Sequence, residues 1–205
     1  VRYQFTKEDA LRETARQIVR LGSNVLKITI APDSVAKQYP GVRGGRTPLE
    51  VVRDDPAFCD TLAMPFSHIL LWVYTTSGLA WQRGMSMRER RTEYRQMREL
   101  SDYLLETYEG SGKRFYLGHW EGDWHLRPDL RPDGAWSETR AQGMIDWLNT
   151  RQRAVEDARR RPRNGVALYN YVECNLVQIG LQGKPCLSNQ VLPHVGVDAV
   201  SYSSY

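Results

Sequence analysis

The densest chemistry in the sequence lies in Gly118-His-Trp-Glu-Gly-Asp-Trp-His125, where two carboxylates, two imidazoles and two indoles crowd together. Carboxyl groups in pairs can move protons and attack carbon. Hydrolysis of a glycosidic bond needs two of them, one to protonate the leaving oxygen and one to attack or to activate water. Indole faces such as Trp120 and Trp124 can stack on the C–H faces of sugars, or can anchor a loop to the core. Glu121 can equally bond nearby backbone N–H groups, and Asp123 in Glu-Gly-Asp has the character of a turn residue. A second chemistry is also written here. His119, Glu121, Asp123 and His125 alternate, so an extended strand would place all four on one face, as in a metal site.

These residues must be positioned by something, and the flanking sequence alternates helix and strand patterns. Residues 8–22 carry Leu11, Ala15, Ile18 and Val19 at helical spacing, with Gly22 as a stop. Asn24–Ile30 is short and β-branched, which predicts a strand. A long loop is expected over 31–46 and helices over 47–54 and 56–63. Ser67–Tyr74 is nearly continuous in apolar residues, as a strand covered on both faces would be. Ser86-Met-Arg-Glu89 is a capping box opening a long helix with stripe Tyr94, Met97, Leu100, Leu104 and Tyr108. Further strands are expected at Arg114–Trp120, Gly165–Val172 and Asp198–Tyr202. Helices are expected at 137–160, with stripe Ala141, Met144, Ile145, Leu148 and Val155, and at 187–193.

Repeated β–α–β units imply a parallel sheet. A nucleotide-binding sheet should carry a glycine-rich loop between an early strand and its helix. The only glycine cluster, Gly41-Val-Arg-Gly-Gly45, sits in mid-loop. Polar and aromatic residues instead gather where strands end: Tyr74 after the second, Asn170, Glu173 and Asn175 around the fourth, Tyr202 and Tyr205 at the fifth. In a (β/α)8 barrel that end holds the active site. Glu173 there would tune an acid or bind a sugar hydroxyl, or else pair with an arginine. Asn175 shares its face if the strand continues. Trp72 joins the candidate substrate-binding set from inside its strand.

Composition bounds the rest. The chain has 205 residues, 41% hydrophobic and 25% charged, with net charge +4. That is a globular composition, not a disordered or fibrous one. The longest apolar run, Ile69–Tyr74, falls far short of the ~18 residues of a membrane span. Many arginines sit beside glutamates on helix faces, and no zinc-finger or RNA-binding signature accompanies them, so no nucleic-acid partner is expected. Cys59, Cys174 and Cys186 include no Cys-x-x-Cys. Cys174 and Cys186 are either a disulfide of an exported protein or two buried thiols. No secretory pattern opens the sequence.

The alternation, the Glu after what counts as the fourth strand, and the closing Ser201-Tyr-Ser-Ser-Tyr205 together resemble the clan of retaining (β/α)8 glycoside hydrolases. The opening Val1-Arg-Tyr-Gln-Phe-Thr, its helix and Leu21-Gly-Ser-Asn-Val-Leu-Lys27 resemble such a barrel after its first strand. The resemblance implies an α/β protein of the TIM-barrel type, incomplete as given, with strands two to six present in one partial domain. It implies Glu121 as acid/base, with Trp120 where the clan usually has Asn. The nucleophile of the clan ends strand seven, so no residue of this chain takes that role. The implied substrate is an oligo- or polysaccharide, with no cofactor and no metal, and the substrate suggests a secreted or periplasmic protein. Two alternatives stand beside this. One is a metal-dependent barrel hydrolase, although neither Asn24–Ile30 nor His68–Tyr74 has the early His-x-His of that class. The other is a barrel that binds carbohydrate without cleaving it.

Overall fold

The computed structural model describes residues 5–204. Tyr205 and the first residues of the opening motif lie outside that range. Helices α1 (Ala10–Arg20), α2 (Val35–Gln38), α3 (Pro48–Asp54), α4 (Pro56–Ala63), α5 (Met87–Thr107), α6 (Gly122–His125), α7 (Glu138–Arg159), α8 (Val177–Leu181) and α9 (Leu187–Gln190) alternate with strands β1 (Val25–Ile30), β2 (His68–Val73), β3 (Lys113–Gly118), β4 (Val166–Cys174) and β5 (Ala199–Tyr202). The expected capping box is present: Ser86 Oγ accepts from Glu89 N, and Glu89 answers on the Ser86 N–H. Pro48 and Pro56 sit in the first turns of α3 and α4, where a missing N–H costs nothing.

The five strands are parallel and lie in the order β1-β2-β3-β4-β5. Every crossover steps to the next strand in the same direction, so the sheet lacks the reversal of order at which doubly wound folds bind nucleotides. Strand alternation divides the side chains into two sets. Leu26, Ile28, Ile30, Ile69, Leu71, Val73, Phe115, Leu117 and Leu168 pack with α1, α3, α4, α5 and α7 in one apolar cluster. Val172 and Cys174 join Trp81, Leu126, Met144, Trp147, Leu148 and Leu187 in a second. None of the opposite set belongs to either cluster. That set includes Lys27, His68, Trp72, Arg114, Tyr116, Tyr169, Tyr171 and Glu173, and it forms a polar, aromatic face in which Tyr116 stacks on His68 and on Tyr169.

The polar face is concave. Lys27 on β1 is level with Leu70, Tyr116 and Tyr169 on the next three strands. In a flat sheet Glu173, four residues beyond Tyr169, would stand roughly 19 Å from Lys27, from ~4.8 Å per strand and ~3.3 Å per residue. That span separates the backbones and exceeds the combined reach of the two side chains, so the 2.5 Å contact of Lys27 Nζ with Glu173 Oε2 requires the sheet to curl. Gly118 permits it. A Cβ there would fall 2.2 Å from Cε1 of the Tyr171 ring, so the ring of β4 lies across the bare backbone of β3.

Helix α2 falls within the loop expected over 31–46, and two further differences bear on the site. Residues 119–125 do not continue the strand. The chain turns after Gly118 and winds into α6, so His119, Glu121, Asp123 and His125 share no extended face. Strand β4 runs on to Cys174, which puts Glu173 inside the sheet rather than in the loop after it.

Candidate functional site

Glu173 is 1% exposed, and a carboxylate so buried needs donors. Three are present. Lys27 Nζ (2.5 Å) and Trp72 Nε1 (3.1 Å) donate to Oε2, and Ser203 Oγ (3.1 Å) donates to Oε1. The partner is thus a lysine from the far side of the sheet and not an arginine. Its ammonium also lies 4.4 Å from the centre of the Trp72 ring, a cation–π contact. Trp72 therefore has one face covered by a cation and its N–H engaged, which is a different duty from a free stacking platform. Tyr171, two residues earlier on the same face, is buried. Burial first, and the Glu173 charge next, push its pKa upward, so the hydroxyl keeps its proton as a donor.

The Glu121 corner is built by tethers to distant backbone. Arg151, wholly buried, donates to the carbonyls of Val73 (2.9 Å) and Gly118 (2.9 Å), the last residues of β2 and β3, and pairs with Glu93 at 3.0 Å. Glu93 also takes the Thr75 hydroxyl. Beyond Gly118, His119 turns into the helix layer against Trp147, with Nδ1 bonded to the Trp120 carbonyl at 2.8 Å. Desolvation holds its pKa down at about 3. Trp120 presents its N–H to the Tyr74 hydroxyl at 3.1 Å. Glu121 follows, 9% exposed, with Oε2 accepting from Trp124 Nε1 at 2.7 Å.

Asp123 fixes this corner to the end of β4. Its Oδ2 accepts from the N–H groups of Asn175 (3.0 Å) and Leu176 (3.1 Å), and its Oδ1 from that of Leu187 (2.8 Å). A Cβ on Gly122 would lie 2.3 Å from Leu187 Cδ1 and 3.3 Å from the Glu173 carbonyl. The backbones carrying Glu121 and Glu173 are therefore in direct contact, and both side chains stand at the C-terminal ends of neighbouring strands.

The remaining expected site residues divide by face. Tyr74 bonds the Trp120 backbone and His125. Asn170, fully buried on the helix face, donates to Gln152. Asn175 contributes its backbone to Asp123. Tyr202, 53% exposed, pairs with Cys174 at the sheet edge. Asp123 and His119 are thus scaffold, and Trp72, Trp120, Trp124 and the two glutamates gather at the strand ends. Among the described residues no group of three or more His, Cys, Asp or Glu is placed to share a metal ion. Cys174 and Cys186 are free buried thiols, and burial raises the first to about 11.

Two contributors escaped the sequence reading, yet each left a signal. Lys27 is a charge inside the β-branched run Val25–Ile30. Arg151 occupies the slot between Leu148 and Val155 on the apolar stripe of α7, where an aliphatic residue is the ordinary choice. Comparison with protein-family models, with curated proteins and with solved structures returned no match.

Proposed function

We propose that this chain forms part of a (β/α)8 barrel and hydrolyses O-glycosidic bonds of an oligo- or polysaccharide. The barrel reading is supported by a singly wound parallel sheet, with its apolar clusters on one face, curled far enough for a β1 lysine to reach a β4 glutamate. Single-direction winding and curvature are what barrel closure requires. The observation that carries the chemistry is the pair of buried glutamates, Glu121 and Glu173, at the ends of adjoining strands, each bonded by a tryptophan indole.

In the proposed reaction Glu121 protonates the departing glycosidic oxygen and then takes a proton from the incoming water. Glu173, with Lys27 on one oxygen and Ser203 on the other, orients a sugar hydroxyl beside the scissile bond. The attacking carboxylate belongs to the seventh barrel strand of the resembled clan, a position that none of β1–β5 occupies. Trp120 and Trp124, the neighbours of Glu121, serve as sugar platforms. A polymeric substrate places the protein outside the cytoplasm.

The test is Glu121→Gln, assayed with two glycosides that differ in leaving group. Loss of a general acid lowers turnover by roughly 10²–10⁴-fold where the leaving oxygen needs a proton. Activated aryl glycosides, which leave without one, should lose far less. Equal loss on both refutes the acid role, and full activity on both removes Glu121 from the chemistry. Saturable oligosaccharide binding without any hydrolysis identifies a binding barrel instead.

A further inference from the structure

The hydroxyl of Tyr74 stands between two groups that decide where its proton goes. It accepts from the backbone N–H of Trp120 at 3.1 Å, and it lies 3.2 Å from Nε2 of His125. Having accepted from the amide, it satisfies the second contact best by donating to Nε2. His125 then carries its own proton on Nδ1. The ring is well placed to accept, since burial and the Arg140 charge lower its pKa to about 4 and keep it neutral.

His125 is itself immobilised. Its carbonyl accepts from Gln82 Nε2 at 2.8 Å and from Arg140 at 2.9 Å. Its ring meets Trp81 and Trp120 edge to face. The charged or titratable groups around it are Arg140 from α7, His119 after β3 and Tyr74 after β2. The chain of contacts runs from α7 through His125 and Tyr74 to the amide of Trp120, the residue before Glu121.

We infer that Tyr74 and His125 are a positioning pair that fixes the Trp120 peptide and thereby aims the Glu121 carboxyl group. The inference rests on Glu121 being the proton-handling residue. Neither side chain needs to touch substrate. Trp124 holds the carboxyl end of Glu121, and Tyr74 holds the backbone end, so the group is restrained from both sides.

Tyr74→Phe removes one oxygen and keeps the ring. Hydrogen exchange of the Trp120 amide should then quicken roughly tenfold, the weight of one ordinary buried hydrogen bond. Turnover of glycosides with poor leaving groups should fall about tenfold or more, with KM within a factor of about two, while activated aryl glycosides change little. His125→Leu should behave alike, and His125→Gln, whose amide oxygen can replace Nε2 as acceptor, should recover most of that loss. Unchanged exchange at Trp120 overturns the pair as a restraint, whatever the activity. If Glu121→Gln shows acid-type loss and Tyr74→Phe shows none, the positioning role alone is wrong. If Glu121→Gln is silent, the hydrolase reading fails and this role with it.

Discussion

Gly118→Ala places one methyl group at the point where the curled sheet has least room. Its Cβ would sit 2.2 Å from Cε1 and 2.4 Å from Cζ of Tyr171, against the 3.5–4.0 Å of ordinary carbon contact. More than an ångström must be recovered by movement. The backbone cannot retreat, because the Gly118 carbonyl is held by buried Arg151. Tyr171 is only 2% exposed, so its ring must push into Trp72 and Glu173 or leave its rotamer. Overpacking of this kind costs about 1–3 kcal/mol, and the anchored backbone argues for the upper end. At ~2–4 °C per kcal/mol for a chain of this size, the melting temperature should fall by roughly 6–12 °C. Urea unfolding should show a lower midpoint with an unchanged slope. Adding Tyr171→Leu should return part of the loss, giving a double-mutant coupling above about 0.5 kcal/mol. A midpoint within about 0.5 kcal/mol of the parent for Gly118→Ala alone would refute the close approach of β3 and β4 and the curvature drawn from it.

Two further outcomes concern the scaffold. Arg151→Met leaves Glu93 buried without its cation and should destabilise by about 3–5 kcal/mol, whereas Arg151→Met with Glu93→Leu should be much milder; equal losses in equilibrium unfolding would deny the pairing its role. His119 and His125 have pKa values lowered to about 3 and about 4 from an ordinary 6.5, so the unfolded chain binds more protons than the folded one between those limits. Stability is then flat above about pH 6.5 and falls as the pH drops, by up to about 1.4 kcal/mol per unit for each histidine. His119→Leu should flatten the slope between pH 6.5 and 5 in urea titrations, and an unaltered slope would contradict a neutral buried imidazole at that position.

Local sequence was sufficient wherever local physics decides. The Ser86–Glu89 capping box, the helices over 47–54 and 56–63, and the apolar run of β2 all appear close to where expected. It failed where distant groups decide. The period-two spacing of His119, Glu121, Asp123 and His125 reads as a strand, but Asp123 is bonded to backbone 52, 53 and 64 residues away, and those bonds favour the compact turn of α6. The roles of Lys27 and Trp72 depend on curvature, which no window of sequence contains. Glu121 and Glu173 were legible as carboxylates at strand ends. Their indole partners became visible only with the fold.

The contact between Lys27 and Glu173 also has a mechanical meaning. It is a chord drawn across an arc of strands, and such a chord opposes the flattening of a curved sheet as a string holds a bow. The strands between its ends contribute Trp72, against which both charges rest, and the bare Gly118. The restraint runs diagonally, from the middle of β1 to the C-terminal end of β4, so it ties together two levels of the sheet as well as two of its strands.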